Sequence, residues 1–488
     1  MSNTIPRQTG TPGISRRSFL QRASAASAFS IVQPHVLGMG ATSPNNKVNI
    51  ACIGVGWQGI YNLQVFMQNP DARVVAVCDV FEEGPYLGRG IAGREAGRKT
   101  IDEYYEYKGI AGKGCAAYVD FREMLDERDD IDAVVITTPD HLHAVAAMAA
   151  INKGKHVFCE KPLAHSVREV RTMTEAARAA KVATQMGNWG HAKEDIRQVC
   201  EWIWDDAIGE VREVHAWTNR PGGWWPYGID RPEDTPPVPD GLDWNLWLGP
   251  APERPYHPAY LPFIWRGWWD FGSGALGDMG CHILDPVVWA LHLGSPDTVE
   301  ASSIKLNTKA TPFGAEMPAG MVHPETTTAG AIVRWEFPAR DALPPLTLTW
   351  HHGGIMPPRP DELEAGRKMG DSDGGVLFIG DKGKLICGCY GSNPQLLPES
   401  KMKAYKQPPK TIPRSVGHYK EWVLACKGGE PAAANFDYSG PLTEIVTLGI
   451  AAIRADQKLH YDAAKLEFAN APEANKWLQS TCRDGWKI

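Results

Sequence analysis

The sequence lacks the features that mark nucleic-acid-binding, metal-binding and disulfide-stabilised proteins. It carries a formal net charge of -7 over 488 residues and has no clustered stripe of lysine or arginine, which argues against a nucleic-acid partner or an anionic membrane surface. Its ten cysteines are scattered, and none has the C-x-x-C spacing of a zinc site or a redox dithiol. We therefore expect no metal, and a small molecule as the partner.

Disordered tracts and apolar runs long enough for a stable membrane span are also missing from the sequence. Hydrophobic residues make up 43% and charged residues 22% of the chain, as in ordinary globular proteins. A chain of this length predicts two large domains, or about three of ~150 residues, with a sizeable core.

The first forty residues have the composition of a targeting segment. Arg16 and Arg17 form a twin-arginine pair, and residues 23–41 are weakly apolar and free of acidic side chains. We predict a twin-arginine signal over residues 1–41, hence export to the periplasm. A signal that is not cleaved would leave the protein anchored.

A buried strand, a glycine turn and a helix follow in succession after this segment. Residues 47–53 are a continuous apolar run, residues 54–59 read G-V-G-W-Q-G, and Asp79 ends a second apolar run at residues 74–78. Such a turn brings backbone amides to a pyrophosphate, and the acid accepts from ribose hydroxyls. Because Asp79 would repel a 2′-phosphate, we predict NAD rather than NADP. The predicted contacts from this region are Gly54, Gly56, Trp57, Gln58, Gly59 and Asp79.

Strand and helix patterns alternate as far as residue 187, and this alternation is not continued in the rest of the sequence. This alternation predicts an α/β fold with a doubly wound parallel Rossmann sheet over residues 47–187. Residues 188–488 contain several β-rich segments, a predicted hairpin turn at residues 380–383, and two closing helices at residues 419–427 and 441–455. We predict an α+β second domain with a mostly antiparallel open sheet.

Two loops at the ends of predicted strands carry candidate functional residues. In T-T-P-D-H-L-H, at residues 137–143, we predict that Thr138, Pro139 and His143 contact cofactor or substrate, because ligands bind at the carboxyl ends of such strands. The same residues also suit a helix start with Asp140 as its cap. Glu160 and Lys161 end the next predicted strand, and we predict that both contact the cofactor. A lysine beside the nicotinamide could hydrogen-bond or deprotonate a substrate hydroxyl.

A third motif places an acid and a base four residues apart. Asp278 and His282 share one face of a predicted helix with an apolar pattern behind them. A carboxylate can orient a histidine and stabilise its charged form, which suits acid/base chemistry. A structural pair or half of a metal site would have the same spacing.

Together the glycine turn, Glu160-Lys161-Pro162 and the Asp278/His282 motif resemble the Gfo/Idh/MocA oxidoreductases, over nearly everything after residue 46. The resemblance implies a catalytic set of Lys161, Asp278 and His282, and a pocket bordered by residues 185–191, including Asn188 and His191. It also implies a homo-oligomer, dimer or tetramer, formed through the open sheet. The predicted helix start at residues 441–444 and the leader are similar to exported members.

Tryptophan is concentrated in one part of the chain. Twelve of the eighteen tryptophans lie between residues 189 and 289, and aromatic rings stack on the C–H face of sugars. We expect one or two of Trp189, Trp224, Trp225 and Trp268 to contact a carbohydrate, with Trp268 among the substrate residues.

These features predict an NAD-dependent oxidoreductase that acts on a secondary hydroxyl of a sugar, glycoside or cyclitol. We expect His282 to be the base, Lys161 to polarise the same oxygen, and Asp278 to orient the base or bind a neighbouring hydroxyl. Two alternatives stay open at this point. One is an NAD-dependent glycoside hydrolase that oxidises C3 transiently before elimination, and the other is a non-catalytic sugar-binding protein.

Overall fold

The computed structural model describes residues 46–110, 114–305, 322–486 and 488. The predicted twin-arginine signal lies outside these residues. The described β-strands, numbered in chain order, are β1 Val48–Ile53, β2 Ala72–Cys78, β3 Gly84–Pro85, β4 Ile91–Ala92, β5 Ala116–Tyr118, β6 Ala133–Ile136, β7 His156–Cys159, β8 Thr184–Met186, β9 Val211–Thr218, β10 Thr298–Ser303, β11 Ala331–Phe337, β12 Leu346–His352, β13 Gly374–Gly380, β14 Gly383–Gly388, β15 Gln395–Leu397, β16 Leu459–Asp462 and β17 Glu467–Phe468.

The described α-helices are numbered in the same way. They are α1 Trp57–Gln68, α2 Arg94–Tyr107, α3 Phe121–Glu127, α4 Asp140–Asn152, α5 Val167–Ala180, α6 Glu194–Trp204, α7 Trp244–Leu248, α8 Gly274–Ile283, α9 Asp285–Ala290, α10 Glu399–Ala404, α11 His418–Cys426 and α12 Phe436–Ala455. None of these helices has the length and apolar composition that crossing a bilayer requires.

The first sheet has six strands in the order β5-β2-β1-β6-β7-β8, all paired in parallel. Its strands are buried almost throughout, as expected when helices cover both faces of a parallel sheet. The predicted Rossmann alternation is therefore confirmed. The short strand β5 and the polar helix α2 had no clear pattern in the sequence and were missed.

The second sheet has nine strands in the order β15-β14-β13-β9-β12-β11-β10-β16-β17. All neighbouring pairs are antiparallel except β12 with β9. The predicted mostly antiparallel sheet is confirmed, and so is the hairpin turn, because Gly380 pairs with Gly383.

Helix α4 begins where it was predicted but without Asp140 as its cap, and α12 begins before its predicted start at residue 441. Asp140 is the first residue of α4 rather than its cap, and its carboxylate accepts a hydrogen bond from Ser273 N at 3.1 Å. Helix α12 begins at Phe436 because the Asn435 side chain caps it, so Pro441 lies inside the helix.

A late segment of the chain packs on the first sheet. Trp422 in α11 is fully buried, with its ring 5.3 Å from that of Phe66 and 5.6 Å from that of Phe158. Helix α11 thus completes the core of the Rossmann half, although it follows most of the second sheet in sequence. A boundary at residue 187 therefore does not separate the two cores.

Candidate active site

A cavity of about 530 Å³ lies at the carboxyl ends of the parallel strands. The first half of the chain contributes the loops that follow β1, β2, β5, β6 and β7, and the second half contributes loop residues between 220 and 266 and residues of α8. Ligands of doubly wound sheets bind at this edge. The cavity also has the volume typical of a small-molecule site.

The glycine turn after β1 needs glycine at its first and last positions. Gly54 has φ +86°, and a Cβ there would lie 2.6 Å from the carbonyl carbon of Thr137. A Cβ on Gly59 would lie 2.1 Å from the Gly54 oxygen, so this glycine lets α1 pack close to β1. Gly54, Gly56, Trp57 and Gln58 line the cavity, whereas Gly59 does not; its predicted cofactor contact is replaced by this packing role.

Asp79 lies beside the turn and fixes its backbone. Its carboxylate accepts hydrogen bonds from Val55 N at 2.6 Å and from Phe81 N at 2.9 Å. Burial raises the pKa of Asp79, and these two backbone donors act in the opposite direction. The residue borders the cavity, where it can accept from a ribose hydroxyl.

The loop after β6 contributes backbone and small side chains to the cavity. Thr138 and Pro139 line it, and the buried Thr138 Oγ1 has no hydrogen-bond partner among the described residues. His143 does not line it: its ring nitrogens lie 2.8 Å from Pro162 O and 3.0 Å from Thr138 O. This buried ring joins two backbone loops, and contact of His143 with the cofactor stays a prediction.

Glu160 and its neighbours form a polar layer under the cavity. The buried Glu160 carboxylate accepts from Asn62 Nδ2 at 2.9 Å and lies 3.4 Å from Gln58 Nε2. Burial raises the pKa of Glu160, although Asn62 and Lys161 act against this. Glu160 borders the cavity.

Lys161 and Asp278 form a largely buried ion pair in the wall of the cavity. Lys161 Nζ donates to Asp278 O at 2.7 Å and to Asp278 Oδ1 at 3.0 Å. Arg266 Nε donates to the same Oδ1 at 3.2 Å, and Arg220 Nε lies 3.7 Å from Oδ2. Burial by itself would raise the pKa of Asp278, but these three cations outweigh it and hold the pKa well below its usual range.

His282 borders the same cavity without touching the carboxylate predicted to orient it. Its Nδ1 has no hydrogen-bond partner among the described residues, and its ring centroid lies 4.9 Å from that of Tyr390. Burial and the nearby Lys161 lower the pKa of His282 well below its ordinary value. Among the described residues Asp278 is bound by cations instead, and its charge acts on His282 only by opposing the lowering of the His282 pKa. The role predicted for Asp278 beside the base stays a prediction.

The three predicted substrate residues lie behind the cavity wall rather than on it. Asn188 Nδ2 donates to Asp285 Oδ2 at 3.0 Å, and His191 Nδ1 lies 2.9 Å from Asp285 Oδ1. Trp268 is fully buried and donates from Nε1 to Ala259 O at 2.8 Å. Each of these side chains is buried and absent from the cavity lining, and their contact with substrate stays a prediction.

Of the other tryptophans expected at the substrate, two reach the cavity. Trp189 is 39% and Trp224 is 41% exposed, and both line it. Trp225 is 4% exposed and does not. The guanidinium of Arg220 stacks over the Trp224 ring, with the guanidinium carbon 4.4 Å from the ring centroid.

Arg220, Arg266 and Tyr390 line the cavity but had not been identified from the sequence. Both arginines lie in the tryptophan-rich region, beside Trp224 and between Phe263 and Trp265 respectively. The sequence signal that could have identified these two residues was an arginine placed within a loop rich in aromatic residues. Tyr390, at φ +62° in a short turn after β14, had no signal in the sequence.

The residues at this site fit NAD. The glycine turn leaves room where a Cβ would clash, Asp79 borders the cavity beside it, and the unpartnered Thr138 Oγ1 lies in the adjoining loop. Among the described residues, no group of three histidine, cysteine or acidic side chains is placed to hold a metal ion.

Comparison with known proteins finds similarity in two segments of the chain. Residues 100–188 match the oxidoreductase family, NAD-binding Rossmann fold, and residues 224–313 match the C-terminal alpha/beta domain of the same Gfo/Idh/MocA family. Glycosyl hydrolase family 109 protein 2 of Shewanella sp. (strain ANA-3) is 32% identical over 237 residues, which is 45% of this chain and 49% of that protein. A family 109 protein of Saccharopolyspora erythraea is 28% identical over 214 residues, or 40% and 44% of the two chains. The chain thus spans about half the length of the curated relatives it matches.

Solved structures show the same fold. The WlbA dehydrogenase from Bordetella pertussis, in complex with NADH and UDP-GlcNAcA, aligns with TM-score 0.53 and 15% identity over 84% of this chain and 98% of that one. The aldose-aldose oxidoreductase from Caulobacter crescentus aligns with TM-score 0.50 and 17% identity over 85% and 99%. On this one fold, two segments of the chain match the two domain models of the Gfo/Idh/MocA oxidoreductase family in order.

Proposed function

We propose that the protein is an NAD-dependent oxidoreductase that transfers hydride between nicotinamide and a secondary hydroxyl of a sugar, glycoside or cyclitol. The observation that carries this proposal is one cavity that holds the glycine turn, the Lys161–Asp278 pair and His282 together. NAD, when bound, supplies the hydride acceptor. The chain's own residues must then bind the alcohol and take its proton.

His282 is suited to take that proton. Its lowered pKa keeps the imidazole neutral at physiological pH, and a neutral imidazole has one nitrogen free to accept a proton. Burial makes the charged imidazolium costly, so the proton must pass on or the developing charge must be balanced. Asp278 is the nearest candidate for that balance, since its charge acts against the lowering of the pKa of His282.

Lys161 is suited to polarise the hydroxyl rather than to deprotonate it. An ammonium has three N–H donors, and Asp278 accepts two of them from Lys161 through its backbone and side-chain oxygens. The third is free to donate to a substrate oxygen and to stabilise the negative charge that develops there. Asp278 acts on this step by fixing where the Lys161 nitrogen lies.

The aromatic and charged lining supports a carbohydrate as the substrate. Trp189 and Trp224 present partly exposed rings for the C–H face of a sugar, and the Arg220 and Arg266 guanidinium groups can donate to hydroxyls. Several solved structures of this fold were determined with sugar ligands or named for sugar substrates.

Nucleotide analysis followed by substrate titration tests the proposal. The purified protein is denatured, any released nucleotide is identified by mass, and the intact protein is titrated with free sugars and cyclitols while NADH absorbance is followed. We expect NAD to be released and NADH to form with at least one polyol. Absence of any nucleotide, together with no binding of added NAD, would reject the proposal.

A second function is favoured by the curated relatives named as glycosyl hydrolase family 109 proteins. In a redox-assisted hydrolase, NAD would oxidise the sugar only transiently, before elimination and reversal. Glycosides with a chromogenic leaving group separate the two functions. Aglycone release without lasting NADH would identify the hydrolase, whereas NADH formation in proportion to sugar oxidised identifies the dehydrogenase.

We also propose that the protein is exported through its twin-arginine segment and forms a homo-oligomer. Replacing Arg16 and Arg17 with lysine should retain the protein in the cytoplasm, as followed by cell fractionation; continued export would contradict the prediction.

The outer face of the second sheet, where Ile332 and Arg334 are exposed, is the proposed contact between subunits. Light scattering on the purified protein should give the mass of a dimer or tetramer, and a monomer would contradict this.

A further inference from the structure

The Asp79 end of the cavity is bounded by the loop after β5. Asp79 N donates to Tyr118 O at 3.1 Å, and Val119, Asp120 and Phe121 line the cavity beside it. Asp79 is the residue suited to a ribose, so this end suits the adenosine half of NAD.

A tryptophan close to the end of the sequence lines this same region. Trp486 is 8% exposed and borders the cavity. Its ring centroid lies 6.2 Å from that of Phe121, and the guanidinium carbon of Arg122 lies 4.3 Å from it. Arg122 is itself held by the Asp120 carboxylate at 2.6 Å. The indole is therefore seated against the Rossmann half of the chain.

Arg483 ties the same segment to the other half. Its side chain donates to Gly249 O at 2.7 Å, to Asn245 Oδ1 at 2.8 Å and to Asn245 O at 2.9 Å. The Arg483 backbone N–H donates to Pro250 O at 3.0 Å. These partners belong to α7 and the residues after it, and Leu246 and Trp247 of α7 also line the cavity.

Residues 483–486 thus connect the two walls of the cavity at its adenosine end. We propose that this segment is part of the NAD site, with Trp486 as a binding residue for the adenosine half. A purine is flat and largely apolar, and it gains affinity from an aromatic surface that is already held in place. This inference rests on the proposed use of NAD.

Binding of cofactor fragments to the full-length, nucleotide-free protein tests the inference without measuring turnover. Trp486→Ala should lower the affinity for NAD and for ADP-ribose by about tenfold to hundredfold in calorimetric titrations. Nicotinamide mononucleotide, which lacks adenosine, should bind as in the wild type. Arg483→Ala should weaken the binding of the same two ligands to a smaller extent, because it removes the anchor of the segment but keeps the indole ring. Trp486→Phe should bind both ligands with an affinity closer to that of the wild type.

Trp477→Ala is the matched control, since this tryptophan lies in the same C-terminal region but packs on Arg454, at 3.7 Å, and does not line the cavity. It should leave ADP-ribose affinity unchanged. Wild-type affinity of Trp486→Ala for ADP-ribose, or an equal loss of mononucleotide affinity, would overturn the inference. Failure of the wild type to bind any of the three nucleotides would reject the NAD site itself.

Discussion

Lys161 Nζ donates to both the backbone oxygen and the carboxylate of Asp278, at 2.7 and 3.0 Å. This pairing across 117 positions of the sequence replaces the local pairing of Asp278 with His282 that helical spacing favoured. It leaves the lysine fixed as a donor and the histidine as the neutral group in the cavity.

Removing the carboxylate should destabilise the protein, because three cations would then face one another without their shared partner. We expect Asp278→Asn to lower the free energy of unfolding by about 3 kcal/mol. Asp437→Asn is the control, since its ion pair with Arg178 is mostly exposed and should contribute less than about 1 kcal/mol. Urea unfolding measures both, and equal losses in the two variants would contradict the prediction.

Replacing either group assigned to the hydroxyl proton should reduce turnover while leaving NAD bound. We expect Lys161→Met and His282→Ala each to lower kcat by about 10²-fold to 10⁴-fold. Lys153→Met, which alters a partly exposed ion pair with Asp126, should retain the wild-type rate. Steady-state rates together with bound-nucleotide content provide the measurement, and a near-normal rate in either active-site variant would contradict the assignment.

The adjacent tryptophans 224 and 225 provide a test of sugar contact. Trp224 is 41% exposed in the cavity, and Trp225 is 4% exposed outside it. Trp224→Ala should raise KM for the sugar about tenfold with little change in stability. Trp225→Ala should instead lower the free energy of unfolding by about 3 kcal/mol through loss of core packing. A rise in KM confined to Trp225→Ala would place the substrate elsewhere.

Buried histidines should make the fold sensitive to acid. Burial lowers the pKa of His141, His352 and His418 to about 3 and that of His351 to about 4, against about 6.5 in an unfolded chain. The unfolded chain therefore takes up protons below pH 6.5 that the folded chain does not, and stability falls as pH decreases toward 4. Burial also raises the pKa of four carboxyl groups, that of Glu169 to about 7, and these act in the opposite sense; the others are Asp79, Asp140 and Glu160. They are outnumbered by seven histidines with lowered pKa values, since His143, His165 and His282 join the four above.

The urea midpoint at pH 7.5 and at pH 5 measures this dependence. We expect a lower midpoint at pH 5. A constant or higher midpoint would show that protonation of buried carboxyl groups such as Glu169 outweighs the histidines.

The sequence by itself determined the elements whose signal is local. Apolar runs, the glycine turn and the alternation of strand and helix depend on burial and backbone geometry within a few residues. The parallel Rossmann sheet and the turn at Gly54 could therefore be predicted. The same holds for the place of Lys161 at the end of β7, since a strand end is marked by neighbouring residues.

Only the tertiary structure decided which polar groups meet. His143 and His191 are of a residue type that is common in active sites. Both are buried, however, and hydrogen-bond to residues distant in sequence. Arg266 and Trp486 border the cavity because loops and the C-terminal segment fold back onto the first sheet. Charge pairing and cavity lining depend on distances in space, which residue spacing along one chain does not contain.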